Sequence, residues 1–137
     1  MNIKRFNPPG SPPPRQYHHV VIAQGGTTVY IAGQVAYDEH RHLVGGNDVI
    51  AQLTQVLKNL DRALQASGAS RTSVVKIGTS VVGYQPEQAD GILNAIGEFF
   101  PEAHRPVNTL LGVERLATNE LLIEIDAIAV LEASSAP

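Results

Sequence analysis

A long apolar run near the C-terminus carries two acids. In Leu122-Ile123-Glu124-Ile125-Asp126-Ala127 the side chains alternate faces if the run is a strand. Glu124 and Asp126 then share one face, and Ile123, Ile125 and Ala127 share the other. Acids are depleted inside strands. The pair therefore belongs on an exposed face, against a partner's basic side chain, or in a pocket between chains. In a pocket one carboxylate can orient a water or act as a general base. The five histidines are His18, His19, His40, His42 and His104. His40-Arg41-His42 puts two imidazoles on one side of an extended segment. A metal needs further ligands and an ordered surrounding shell, and Asp38 and Glu39 offer no fixed spacing, so no metal site is read there. His18 and His19 alternate faces in a strand, so at most one meets any given pocket. His104 reads as surface. There is no cysteine, which removes a thiolate nucleophile, a disulfide framework and a thiol-ligated metal. Gly25-Gly26 lacks the lysine and further glycines of a phosphate-cradling loop and precedes a strand. No Gly-x-Ser-x-Gly elbow is present.

The elements that must position these groups follow from periodicity. Residues 7–14 hold five prolines in eight positions, so they form a stiff, extended lead-in. Residues 17–23 and 28–36 are β-rich and flank Gly25-Gly26, which predicts a hairpin. Residues 38–46 read as a loop. Asn47 and Asp48 are N-cap residues, and Val49, Leu53, Val56, Leu57, Leu60 and Leu64 follow at helical spacing to Gly68, a C-cap glycine. Residues 72–83 read as a buried strand. Pro86 and Glu87 open a second helix, which runs to Phe100 and stops at Pro101. Residues 106–113 form a short strand, 115–120 a turn, 121–131 a long final strand, and 132–137 a frayed tail. The order is β-β-α-β-α-β-β. This predicts an α+β fold: a mixed β-sheet with two helices packed on one face. The other face still carries apolar residues, so a second copy of the chain is expected there, in a closed symmetric oligomer.

The chain has 137 residues, enough for a single domain: 1–15 as lead-in, 16–131 as body, 132–137 as tail. Hydrophobic residues make up 43%, charged residues 17%, and the net charge is -3. Ten Lys and Arg scattered among thirteen acids make no basic stripe, so no nucleic-acid partner is expected. No apolar run is long enough to span a bilayer, and no apolar signal segment follows Lys4 and Arg5. A cytoplasmic protein without a membrane partner is the expectation.

Several stretches stand in a telling order: Tyr17; Ile31-Ala32-Gly33-Gln34-Val35; a long helix closing on Gln65-Ala66-Ser67-Gly68; Val74-Val75-Lys76-Ile77-Gly78-Thr79; Glu98-Phe99-Phe100; Pro106-Val107-Asn108-Thr109; and Glu124-Ile125-Asp126-Ala127-Ile128-Ala129-Val130. This set, spanning residues 17–131, resembles the reactive intermediate deaminase (RidA/YjgF, or Rid) family. The resemblance implies a chorismate-mutase-like α+β fold and a homotrimer, with small-metabolite pockets between subunits. It also implies hydrolysis of reactive imines or enamines, such as 2-aminoacrylate, to 2-ketoacids and ammonia, with no metal or organic cofactor. Residue by residue, the family's pocket tyrosine falls on Tyr17, its water-positioning carboxylate on Glu124, and a backbone contact of the second strand on Gly33. Its carboxylate-gripping arginine lies two residues past a proline, which is Asn108 here. Arg105 precedes Pro106 and is not that position. The next pocket position, often cysteine, is Leu110. A pocket asparagine on the second helix falls on Leu93 or, shifted by one, Asn94.

This chain therefore resembles a member lacking the substrate-binding arginine. An arginine fork makes two charge-assisted hydrogen bonds to a carboxylate, whereas asparagine offers one short neutral amide. At about 1.5–3 kcal/mol for each bond, the loss weakens carboxylate binding at least tens-fold. A neutral or differently shaped ligand is expected. Two functions follow. One is a hydrolytic deaminase with Glu124 and Tyr17 as catalytic groups and Asn108, Gly33, Leu110 and Asn94 binding substrate. The other is a non-catalytic trimeric module that holds a small metabolite.

Overall fold

The structure is a computed structural model and describes residues 2–132. The apolar stripe after Asp48 forms α1 (Val49–Ala66). The Asp48 carboxylate accepts from the backbone N–H groups of Ile50 at 2.9 Å and Ala51 at 3.2 Å, so it satisfies donors the helix itself cannot. Leu53, Val56, Leu60 and Leu64 are fully buried. At the far end Gly68 takes φ +77°. That lets the Ala69 N–H turn back to the Leu64 carbonyl at 2.8 Å. The second helix, α2 (Ala89–Phe99), is entered through a 3₁₀ turn at Pro86–Gln88.

The described residues hold six strands: β1 (Asn2–Phe6), β2 (Val20–Gln24), β3 (Thr27–Gln34), β4 (Val74–Val82), β5 (Val107–Val113) and β6 (Ile123–Leu131). Four of them build one mixed sheet in the order β3-β6-β4-β5. β6 is antiparallel to both neighbours, while β4 and β5 are parallel and joined through α2. Both helices cover one face. Leu53, Leu60, Ile92 and Ile96 share a core cluster with Ile77, Val81, Ile123, Ile125 and Ala127. The expected α+β architecture is the one formed. By register, the opposite face presents Tyr30, Gly78, Ser80, Leu111, Glu124 and Asp126. Tyr30 is 79% exposed there and Leu111 55%.

The N-terminal expectations need correction. Within the extended lead-in, residues 2–6 form a strand that the sequence reading did not mark: β1 pairs antiparallel with β2, Asn2 facing Gln24 and Phe6 facing Val20. Arg5 ties this ribbon to the body, donating to the carbonyls of Thr72 at 2.9 Å and Val74 at 3.0 Å. The expected hairpin is not a paired unit: β2 takes β1 as its partner and β3 takes β6. Gly25 and Gly26, at φ +71° and +78°, turn the chain from one sheet into the other. Tyr17 does not begin a strand, because the following backbone donors go elsewhere. The His18 N–H reaches the Pro106 carbonyl at 3.2 Å, and the His19 N–H reaches Asn7 Oδ1 at 2.9 Å. The expected frayed tail, beyond Glu132, lies outside the described residues.

Candidate functional site

A cleft of about 480 Å³ opens between residues 15–19, α2 and the edge strand β5. Tyr17, His18, Leu93, Asn108 and Leu110 line it, together with Arg15. The wall at residues 15–19 is held by specific contacts. Gln16 takes a left-handed φ of +66°, uncommon for a residue with a side chain. Its side chain lies on Gly97 of α2, where any Cβ would come within 2.6 Å of Gln16 Cδ. His18 Nδ1 stands 2.7 Å from the Arg105 carbonyl. A carbonyl only accepts, so Nδ1 is the donor in this contact. Tyr17 packs edge-on against His19, with ring centres 5.2 Å apart.

The floor of the cleft is set by β5. Thr79, 1% exposed, donates its hydroxyl to Asn108 Oδ1 at 3.0 Å. The Asn108 carbonyl oxygen is thereby engaged, and its NH₂ remains as the donor end. Of the two alternatives on α2, Leu93 lines the cleft. Asn94 is exposed beside it and accepts from Gln16 Nε2 at 3.4 Å. Arg105 is turned away and donates to the Gly97 carbonyl at 3.1 Å, a favourable place for a cation near the end of α2.

Glu124 lies elsewhere. The pairing of β3 with β6 slips between Ile31 and Gln34, a bulge that places an extra residue against β6. Gly33 sits in the bulge, and a Cβ there would come 2.6 Å from Glu124 Oε1. The missing side chain at Gly33 is what lets the Glu124 carboxylate lie over the strand. Burial, and then the charge of Asp126, hold the Glu124 pKa above the usual carboxylate range.

The chain brings Tyr17, Asn108 and Leu110 together but does not bring Glu124 or Gly33 to them. Asn108 pairs with Ile77 and Leu110 with Thr79, so both face the helix side. Glu124 pairs with Ser80 on the open side. Two strand spacings, roughly 10 Å, and the thickness of the sheet separate Glu124 from Asn108. One substrate touches both groups only if two copies contribute.

The histidine loop holds no imidazole cage. The Asp38 carboxylate accepts from the backbone N–H groups of His40 and His42, both at 2.9 Å. No group of three or more His, Asp or Glu among the described residues is placed to hold a metal ion. A second hollow lies between α1 and α2. There Arg71 stacks 4.0 Å over Phe99 and pairs with Asp61 at 3.1 Å. Arg15 is the charged cleft residue that sequence reasoning missed; His19, Val107 and Thr109 line the cleft as well. Arg15 sits in the proline-rich segment, and its only local signal was a cation directly after a rigid stretch.

A two-helix layer on a mixed sheet, with a cleft at the edge strand, defines an α+β small-molecule-binding scaffold of the Rid type. The chain belongs to the family described as Endoribonuclease L-PSP, whose model matches residues 10–131; this is the Rid/YjgF family its sequence resembles. A RutC family protein of Synechocystis sp. is 36% identical over 105 residues, covering 75% of this chain and 78% of that one. The 2-iminobutanoate/2-iminopropanoate deaminase of Dermatophagoides farinae is 28% identical over 109 residues, covering 80% of this chain and 82% of that one. The crystal structure of the Rid family protein YyfB from Yersinia pestis, described as of unknown function, superimposes with a TM-score of 0.92 at 42% identity, covering 96% of this chain and all of that one. No helix among the described residues is long and apolar enough to cross a membrane.

Proposed function

We propose that this protein is a hydrolytic deaminase of a small imine or enamine, working as a homotrimer with its sites between subunits. The observation that carries this reading is the division of the site across the sheet. One face offers a cleft with Tyr17 and the Asn108 amide, and the other offers a partly desolvated carboxylate, Glu124. The deaminase relative from Dermatophagoides farinae supports it.

In the assembled site one subunit's cleft holds the substrate, and a neighbour's Glu124 carboxylate meets it. Glu124 takes a proton from water as the water oxygen bonds to the imine carbon. As the C=N electron pair moves to nitrogen, Glu124 returns that proton to the nitrogen and a carbinolamine results. Its hydroxyl then gives its proton to Glu124, which passes it to nitrogen as the C–N bond breaks, so the carbonyl forms and ammonia leaves. An enamine first takes a proton on carbon to become the imine. The sum is imine plus water giving carbonyl compound plus ammonia, with no change of oxidation state. The Asn108 NH₂ and the Tyr17 hydroxyl orient the substrate. A carboxylate whose pKa is raised is a better base than an ordinary one.

The test is release of 2-oxobutanoate from 2-iminobutanoate generated in situ. The wild-type protein is expected to exceed buffer, and the Glu124→Ala variant to lose about 10²–10⁴-fold, the usual worth of a general base. Equal rates for both proteins and buffer overturn the reading for this substrate. The neutral amide at Asn108 favours a second reading, a non-catalytic small-metabolite binder. A compound that raises the melting temperature and is never consumed supports it. Cleavage of RNA is not adopted, because a net charge of -3 gives no basic stripe for a phosphate backbone.

A further inference from the structure

The cleft contains a cation even though position 108 carries no arginine. Arg15 lines the same cleft as Tyr17 and Asn108, and no Asp or Glu is among the lining residues. The other arginines near this end of the fold are committed elsewhere: Arg105 to the Gly97 carbonyl, and Arg71 to Asp61 and the Phe99 ring. Arg15 instead donates to Asp90, in the first turn of α2, and Asp90 is not a cleft residue. That pair is exposed on both sides, 55% for Arg15 and 86% for Asp90. Exposed ion pairs hold their partners weakly, so an entering anion can take the place of Asp90 at little cost.

We infer that Arg15 is the anchor for an anionic group on the ligand, so that the cleft takes small carboxylates although Asn108 is neutral. The backbone around Arg15 is prepared for this. Pro12, Pro13 and Pro14 fix the approach. Gln16 is locked over Gly97, and His18 is bonded to Pro106 and Arg105. The chain is thus rigid on both sides of a residue whose own side chain lies at the surface. The guanidinium supplies two parallel donors to a carboxylate, and the Asn108 NH₂ supplies a third. The carboxylate end of the ligand therefore points toward residues 15–19, and the rest of the ligand lies along β5. The nature of the uncharged part rests on the deaminase reading, but the preference for an anion does not.

The experiment titrates 2-oxobutanoate, and its neutral counterpart 2-oxobutanamide, into the full chain by calorimetry. The wild-type protein is expected to bind the acid at least tenfold more tightly than the amide. Arg15→Gln is expected to weaken the acid about tenfold and leave the amide unchanged, and Arg15→Lys to recover part of the loss. Asp90→Asn removes the competing anion and tightens the acid a few-fold. Equal affinity of wild type and Arg15→Gln for the acid overturns the inference, as does a wild-type protein that shows no preference for acid over amide, including one that binds neither. The two readings fail separately. Arg15-dependent binding with no deamination removes the enzyme and keeps the anchor. Deamination with the same KM in Arg15→Gln removes the anchor and keeps the enzyme.

Discussion

Glu124 is on an open sheet face yet half out of water, because Gly33 leaves room for its carboxyl to lie down over the bulge. Burial and the neighbouring Asp126 charge both favour the protonated form. The folded chain thus binds this proton more tightly than the unfolded chain does, and the group makes stability fall as pH rises through its raised pKa. Glu124→Gln removes the desolvated charge. At neutral pH the variant is expected to melt above the wild type, and the gap is expected to close as the pH is lowered and the wild-type residue takes its proton. Thermal melts across about pH 4 to 8 check this. A variant that melts lower at neutral pH, or a gap independent of pH, contradicts it. The same substitution removes the proposed base, so stability and turnover move in opposite directions, as is common where a site keeps a group in an unfavourable setting.

Asp48 shows how much of an element one side chain can settle. It accepts two backbone donors at the mouth of α1. Asp48→Ala is expected to cost about 1 kcal/mol, seen as a lower urea midpoint with an unchanged denaturant slope. A midpoint equal to wild type would falsify the capping role. Both helices were legible in the sequence because only a helix turns a 3.6-residue apolar period, sustained over several turns and bounded by caps, into one buried stripe. The strand alternation through Ile123, Glu124, Ile125 and Asp126 was legible for the same reason, and it placed the two acids on one face, opposite Ile123 and Ile125. β1 was not. Asn2 to Phe6 is five residues with two charges, and its extended state depends on β2 and on Arg5 reaching carbonyls 67 and 69 positions away. Tyr17 and its neighbours had strand-like composition, yet Pro106 and Asn7 claimed their backbone donors. The presence of Arg15 in the cleft could not be read either, because the walls come from three separated parts of the chain.

At the scale of the whole molecule, the sheet divides the candidate residues between its two faces, and this division is itself testable. A subunit carrying Asn108→Ala keeps its Glu124, and one carrying Glu124→Ala keeps its cleft. Each homogeneous protein is expected to be inactive toward 2-iminobutanoate. When the two are unfolded, mixed in equal amounts and refolded together, roughly a quarter of the interfaces in a random closed ring pair an intact cleft with an intact carboxylate. Activity is expected to return to that level. No recovery, with mixed oligomers verified by native mass spectrometry, contradicts a shared site. Exposed Tyr30 and Leu111 on the open face are the apolar side chains such a neighbour would cover. The position of β6 has a further consequence. It is the last of the described strands but lies between β3 and β4, bonded to both. During synthesis the ribosome releases β3, both helices, β4 and β5 before the strand that joins them exists. Until residue 131 has emerged, β3 has no sheet partner and β4 has one bare edge, which is the arrangement most open to pairing with a stranger. The nascent chain therefore has to wait, and the nine residues of β6 decide whether the earlier strands become a sheet.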